Sequence, residues 1–270
     1  MPIASKNHGS KRRTSTVVDN NVADIGNGSI PKQKKQRAND VESAVAVIGI
    51  ISDTHGVLEK SALAFLKRIR PCLILHAGDV GDKRASRLKP HQVLERLSRN
   101  RSSSSSINPE EIAPTLVLAC RGNVDDDVPK DKHNPVASLP LYRFYVEPVT
   151  GARLLILHGD DKKPARIQNK SDGTLTVSND AWLLVERYQA QMVIYGHSHR
   201  YGCHQKRNVL FLNPGSAGPK RFRLPRTCGC LTMTMARNHQ ATTSIEYKVE
   251  YHDFDKGEIV STKTGWLNSS

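Results

Sequence analysis

The sequence predicts an α/β domain built on two packed β-sheets, and three observations support this prediction. Short apolar runs alternate with longer amphipathic segments from Val45 onward, as in α/β and layered β proteins. There are eight such runs, which are enough strands for two sheets. Five of them end in residues that bind hard metal ions. The runs are VAVIGII (45–51), CLILHA (72–77), TLVLAC (115–120), LYRFYV (141–146), RLLILH (153–158), MVIYG (192–196), VLFLN (209–213) and LTMTM (231–235).

Two segments between the runs have the spacing of helices. KSALAFLKRIR (60–70) places apolar residues at roughly helical intervals and stops before Pro71, because proline disfavours helical backbone in the residue before it. A second helix is predicted over about 179–191, with Asp180 in its first turn. The segment 83–114 is interrupted by Pro90, the run RSSSSS (101–106) and Pro109, so we expect an elaborated loop insertion there.

The N-terminal residues 1–44 are predicted to be a basic, disordered leader. Much of the net charge of +14 lies in KRR (11–13) and KQKKQR (32–37), and no apolar periodicity accompanies them. A solvated tail, a nuclear address and an organelle transit segment are the three interpretations, although several acidic residues argue against the transit type. We expect a cytoplasmic protein, with a nuclear location as the alternative.

The remaining chain is predicted to be one domain over 45–255, followed by a C-terminal tail over 256–270. No apolar stretch approaches the roughly 20 residues that a membrane-spanning helix needs. The five cysteines are an odd number without the spacing of a metal finger, so we expect reduced thiols. Cys228 and Cys230 form a C-x-C pair that lacks the second pair expected of a soft-metal site.

Residues that can bind metal ions follow the ends of five apolar runs. Ligands of open α/β sheets bind beyond the carboxyl ends of the strands, so residues scattered along the sequence can converge there. Three Asp or Asn oxygens and four imidazoles suit Mn²⁺, Fe, Zn²⁺, Ni²⁺ or Co²⁺ better than the oxygen shells of Ca²⁺ or Mg²⁺. Seven ligands exceed the needs of one ion, whereas two ions about 3.5–4 Å apart use them and favour displacement at phosphorus. The candidate ligands are Asp53, His55, Asp79, Asn123, His158, His197 and His199.

Six motifs carry a resemblance to a known family. They resemble the calcineurin-like metallophosphoesterases, and more narrowly the YfcE-type small phosphodiesterase branch, whose members read GNCD where larger relatives read GNHD. The resemblance runs from Val45 to about Tyr251. The motifs are SDTHG (52–56), GDV (78–80), GNVD (122–125), HGD (158–160), GHSH (196–199) and NPGS (213–216).

The resemblance implies a four-layer αββα sandwich of two mixed β-sheets flanked by helices. It implies a phosphodiesterase-type hydrolase that acts on a small phosphate ester through a hydroxide bridging two divalent ions. Mn²⁺ is the expected metal, with Ni²⁺, Co²⁺, Zn²⁺, Fe and Mg²⁺ as alternatives. The implied catalytic residues are Asp53, Asp79, Asn123 and His158. One ion is assigned to Asp53, His55, Asp79 and His199, and the other to Asp79, Asn123, His158 and His197.

Four further residues qualify the resemblance. Asp160 replaces the second histidine of the HGH that family members often carry, which bears on substrate contacts. Val124 stands where GNHD relatives have a histidine suited to protonating the leaving oxygen. Arg121 is a candidate substrate-binding residue, with a surface ion pair as the alternative. We expect His76 to support the ligands from the core rather than to bind metal.

Three other functions compete with the hydrolase. A non-catalytic scaffold like the small subunit of the retromer coat would have a degraded ligand set, whereas all seven positions here hold competent ligands. A protein Ser/Thr phosphatase would read GD-x-VDRG and GNHE, whereas this chain reads GDVGDKR and GNVDD. A nuclease recruited through the basic leader is disfavoured, because aromatic residues make up only 5% of the chain and no nucleic-acid module is present.

Overall fold

The structure is a computed structural model that describes residues 44–82, 84, 86–100, 114–125, 139–161, 163–221, 223–237 and 243–268. The predicted leader, apart from Ala44, lies outside the described residues. The helices are α1 (Lys60–Ile69), α2 (Pro90–Ser98) and α3 (Asn179–Tyr188). The strands are β1 (Val45–Ile51), β2 (Leu73–His76), β3 (Leu116–Ala119), β4 (Tyr142–Val146), β5 (Arg153–Leu157), β6 (Ile167–Asn169), β7 (Leu175–Val177), β8 (Met192–Ile194), β9 (Gly202–Lys206), β10 (Val209–Asn213), β11 (Thr227–Arg237), β12 (Thr243–Asp253) and β13 (Glu258–Asn268).

Two mixed sheets and a small hairpin contain these strands. The first sheet has the order β13-β12-β11-β1-β2-β3, in which β1, β2 and β3 are parallel and the other pairs are antiparallel. The second has the order β4-β5-β8-β10-β9, in which β5, β8 and β10 are parallel. Strands β6 and β7 form the hairpin.

The two sheets share one apolar core because alternate residues of each strand point to opposite faces. Ile48 and Ile50 of β1 belong to the same buried cluster as Leu154 and Ile156 of β5. The phenol of Tyr251, on β12, adds a polar link by donating to the carbonyl of Gly202 on β9 at 2.7 Å. This buried layer holds the sheets face to face.

The helices cover the outer faces of the sheets. Leu66 of α1 and Val93 of α2 cluster with Ile51 of β1, on the outer face of the six-stranded sheet. On the other side of the molecule, Trp182 of α3 packs edge-on against Phe211 of β10. The order of layers is therefore helix, sheet, sheet, helix, and the predicted αββα sandwich is confirmed.

Local signals explain where the helices start and stop. The hydroxyl of Ser178 accepts from the Ala181 amide and caps the start of α3. Helix α1 ends at Ile69, and the left-handed φ of 48° at the next residue, Arg70, directs the chain away before Pro71. All eight predicted strands and both predicted helices are present, and α3 ends at Tyr188, before the predicted limit of 191.

The structure differs from the predictions in two segments. Helix α2 lies inside the predicted loop insertion 83–114, and Pro90, which was interpreted as an interruption, occupies its first turn, where the missing N–H costs nothing. Strand β13 lies in the predicted tail 256–270 and pairs with β12 along its length. It has no apolar run because it is an edge strand that is largely solvated, so its signal is weak.

No helix in the described part of the chain combines the length and the apolar character that crossing a bilayer requires. This agrees with the absence of a long apolar stretch in the sequence.

Two neighbouring residues of β13 test whether this strand belongs to the core. Leu267 is 3% exposed in the layer between the sheets, whereas Trp266 is 56% exposed. We expect Leu267→Ala to lower the free energy of unfolding by about 2–5 kcal/mol, because it leaves a cavity. Trp266→Ala, the matched control, should cost much less. Urea denaturation of both variants measures this, and equal small losses would mean that residues 256–270 are a tail after all.

Candidate metal centre

All seven predicted ligands lie at the edge where the parallel strands end. Asp53 and His55 follow β1, Asp79 follows β2 and Asn123 follows β3. From the second sheet, His158 follows β5, and His197 and His199 follow β8. Because β1, β2 and β3 run parallel, as do β5 and β8, their carboxyl ends meet at one edge of the sandwich.

The first group of candidate ligands consists of Asp53, His55 and His199. The Nε2 atoms of His55 and His199 lie 3.3 Å apart, and His199 Nε2 lies 3.3 Å from Asp53 Oδ1. One ligand atom from each of the three residues lies within 4.8 Å of the others. All three are buried, so the group faces inward rather than toward solvent.

The second group consists of Asp53, Asp79 and His158. His158 Nε2 lies 3.4 Å from Asp79 Oδ2 and 4.0 Å from Asp53 Oδ1. Asn123 Oδ1 joins this group to the last histidine, at 3.1 Å from His158 Nε2 and 3.2 Å from His197 Nδ1. The structure therefore brings all seven predicted residues into one connected cluster.

Both acids occupy central positions in this cluster. Asp53 is the member that the two groups share. Asp79 Oδ2 also faces both sides, at 3.4 Å from His158 Nε2 and 3.8 Å from His55 Nε2. The resemblance assigns the shared position to Asp79 alone, whereas the geometry places two carboxylates between the groups.

The contacts within the cluster fit bound cations. Asp53 Oδ1 is buried and accepts no hydrogen bond of good geometry from the described residues. Beside it, two imidazole nitrogens point at each other across 3.3 Å. A divalent ion between them would accept lone pairs from all three atoms at once, and nitrogen with carboxylate oxygen is a common donor set for transition metals.

The protonation of His158 is set by its backbone partner. Its Nδ1 lies 2.8 Å from the Ala77 carbonyl, which can only accept, so we assign the proton to Nδ1. Nε2 then faces the two acids. Burial alone would lower the pKa of His158, but the charges of Asp79 and Asp53 raise it to about 10.

The two acids remain ionised although they are buried. Burial opposes the charge of Asp53, but the contact with His199 and the charge of His158 hold its pKa below the usual range. The pKa of Asp79 is likewise lowered, because the charge and hydrogen bond of His158 outweigh the effect of burial. Burial lowers the pKa of His55 to about 4, against the opposing charges of Asp53 and Asp79. Divalent ions would add positive charge beside these carboxylates. They would displace the proton from His158 Nε2, the nitrogen that faces the two acids, and leave the proton on Nδ1.

Five of the seven candidate ligands have left-handed backbone, which is uncommon for residues with side chains. Such conformations cost of order 1–3 kcal/mol each and persist where the surroundings impose them. Two ligand loops are held together by backbone bonds, from the Asp53 amide to the Gly78 carbonyl at 3.0 Å and from the His55 amide to the Asp79 carbonyl at 2.9 Å. The residues are Asp53, His55, Asp79, His197 and His199, with φ between 45° and 66°.

Asp125, the last residue of GNVD, supports the ligand loops. The sequence placed it in a motif but gave no reason to assign it a role of its own. Its buried carboxylate accepts from the amides of Val80 at 3.1 Å, Gly81 at 3.0 Å and Gly122 at 2.9 Å. Burial raises the pKa of Asp125 to about 6, although these amide donors oppose the shift. The motif contained the residue, but only the structure shows that it ties the loop after β2 to the loop after β3.

The NPGS motif, which begins at the end of β10, joins the loop after β8 to the loop after β1. Asn213 donates from Nδ2 to the Gly196 carbonyl at 2.8 Å, and Ser216 donates to the Asp53 carbonyl at 3.0 Å. Close packing also limits Gly122, where an added Cβ would collide with the carboxylate and backbone of Asp79. A side chain at that position would separate Asp79 from Asn123.

Three of the four further residues singled out from the sequence, His76, Arg121 and Asp160, lie around the cluster. His76 is buried in β2, and its Nε2 lies 2.9 Å from the hydroxyl of Thr54, which itself donates to the Val80 carbonyl at 2.7 Å. It therefore supports a ligand loop, as expected. Arg121 and Asp160 line a cavity whose wall also includes His158.

Comparison with known families and structures gives one family match. The sequence model described as the calcineurin-like phosphoesterase superfamily domain matches residues 47–236. This range contains all seven candidate ligands. A search of curated proteins finds no match.

Several solved structures have a similar fold. Vacuolar protein sorting 29 from Cryptosporidium parvum is 15% identical, with a TM-score of 0.54 over 83% of this chain and 99% of that one. Vps29 from Chaetomium thermophilum is 16% identical, with a TM-score of 0.50 over 83% and 98%. The phosphoesterase YfcE from E. coli is 19% identical, with a TM-score of 0.46 over 80% and 98%.

At these identities the two Vps29 matches show the fold alone, and the family rests on the sequence match. That match covers more than half of the chain and includes every ligand loop described above. The chain belongs to the calcineurin-like phosphoesterase superfamily.

Proposed function

We propose that this protein is a metal-dependent phosphoesterase of the phosphodiesterase type, acting on a small phosphate ester with two divalent ions, preferably Mn²⁺. One observation carries the proposal: two groups of ligands share Asp53, and Asp79 faces both of them. Adjacent groups that share a carboxylate are what a pair of ions requires.

The chain's residues supply the two parts of such a site. Asp53, His55 and His199 would hold one ion, and Asp53, Asp79 and His158 the other, with Asn123 and His197 completing the second. When bound, two divalent ions lower the pKa of water and neutralise charge on phosphoryl oxygens. Asp125 and Asn213 hold the ligand loops in register through hydrogen bonds to their backbone.

The scaffold function remains the alternative to be tested, since the fold is shared with Vps29 proteins. A scaffold does not need seven ligand side chains at one edge, or left-handed backbone at five of them. Backbone strain that is retained at a cluster of candidate metal ligands favours a catalytic role over a purely structural one.

Metal-dependent hydrolysis tests the proposal. The purified protein should hydrolyse an activated aryl phosphodiester when given Mn²⁺, and a chelator should abolish the activity. His199→Ala should lower kcat/KM by at least about 100-fold, because even partners that only orient a ligand cost about 10–100-fold. His204→Ala, a histidine outside the cluster, is the matched control. No turnover with Mn²⁺, Ni²⁺, Co²⁺, Zn²⁺ or Mg²⁺ would favour the scaffold.

The apolar side chain of Val124 generates a second prediction. Its amide donates to Asp79 Oδ1 at 2.8 Å, which places the residue beside the cluster, but its side chain has no proton to give. A general acid contributes a factor of roughly 10²–10⁴ to the rate. Its absence should therefore lower the hydrolysis rate most for substrates with basic leaving groups. We expect kcat/KM to fall steeply as the leaving-group pKa rises across substituted aryl phosphodiesters.

Replacement of Val124 sharpens this measurement. Val124→His should flatten the dependence on leaving-group pKa, whereas Val124→Leu should leave it steep. A flat dependence in the unmodified protein would reveal another acid. His76 is a poor candidate for that role, because it is fully buried against Thr54.

A further inference from the structure

A cavity of about 290 Å³ lies between the loop after β5, the start of β4 and helix α3. On the inner side its wall includes His158 and Arg121, which directly precedes Gly122 and Asn123. On the outer side its wall includes Leu183 and Leu184 of α3. The cavity is thus adjacent to the candidate metal centre, because His158 belongs to both.

The wall of the cavity is mainly apolar. Leu157 and Tyr142 line it from the two adjacent strands β5 and β4, opposite the leucines of α3. Leu183 is 60% exposed, so most of a large apolar side chain at the cavity is left uncovered by the described residues. An apolar group that entered would remove this side chain from water, which is favourable in proportion to the area buried.

The charged residues of the cavity do not favour a ligand of either charge. Arg121 and Lys163 supply two cations, and Asp160 and Asp180 supply two acids. A cavity balanced in this way gives no net preference for a second anionic group. The phosphate of a substrate would instead be drawn to the neighbouring metal centre, where its charge is matched.

We propose that this cavity binds the organic group of the phosphate ester, and that the substrates are esters carrying an apolar group such as an aromatic ring or a short alkyl chain. This inference rests on the proposed function. Pockets for small ligands commonly measure about 300–1,000 Å³. At about 290 Å³ the cavity has room for a compact group.

Binding of alkylphosphonates to the Mn²⁺-loaded full-length protein tests the inference. These compounds carry the charged group of a phosphate ester but cannot be hydrolysed. Titration calorimetry from methylphosphonate to butylphosphonate should show affinity rising by up to about four-fold for each added methylene, as burial of a CH₂ predicts. Affinity that is independent of chain length would overturn the inference.

Two leucines of similar exposure give a matched pair of variants. Leu183→Asp should remove most of the gain with chain length, whereas Leu116→Asp should keep it, because Leu116 is 51% exposed on β3 and lies outside the cavity. Neither side chain is part of the buried core, and a thermal melt verifies that both variants fold. Leu183→Ala, which introduces no charge, should remove part of the gain. Retention of the full gain in Leu183→Asp would also overturn the inference.

Hydrolysis assays separate this inference from the function on which it rests. If activated phosphodiesters are hydrolysed but phosphonate affinity ignores chain length, the cavity assignment fails and the phosphoesterase stands. If the affinity follows chain length and nothing is hydrolysed, the cavity binds apolar phosphorus compounds and the proposed catalysis fails. If no phosphonate binds, the cavity assignment fails whatever the hydrolysis assay shows.

Discussion

Two buried carboxylates, Asp53 and Asp79, lie side by side at the edge of the sandwich, each with an oxygen within 4.8 Å of the other. At that separation two like charges repel by roughly 3–4 kcal/mol in a protein of effective dielectric constant 20. The surrounding side chains must offset this repulsion with positive charge. In the protein alone His158 does so, and the pKa of His158 rises to about 10 as a consequence. Bound dications would meet the same requirement more fully.

The fold keeps these acids together against their repulsion and against backbone strain. The loops that carry them follow adjacent parallel strands, β1 and β2, and backbone bonds from Asp53 and His55 join one loop to the other. Asp125 adds a third loop, and Asn213 and Ser216 join the loop after β8 to the loop after β1. These bonds fix the positions of the loops that carry the ligand side chains.

Much of this arrangement was predictable because four of the five strands that carry ligands, β1, β2, β5 and β8, are largely buried on both faces. Such strands are continuous apolar runs, and the polar residues that end them stand out. Strand β12 alternates polar residues with the apolar residues Ile245, Tyr247, Val249 and Tyr251. It therefore has no continuous apolar run by which it could be predicted. The polar edge strand β13 gave a weaker signal still. The ligand set was predicted, but the central position of Asp53 and the support from Asp125 depend on distances between loops far apart in sequence. The cavity beside His158 depends on such distances too.

The central claim is that one cluster holds two ions between Asp53 and Asp79. Anomalous diffraction from crystals grown with Mn²⁺, recorded at the manganese absorption edge, tests this claim most directly. The account predicts two peaks about 3.5–4 Å apart, one against His55 and His199 and the other against His158 and Asn123, with carboxylate oxygens between them. A single peak, or peaks that do not contact Asp53 or Asp79, would contradict it.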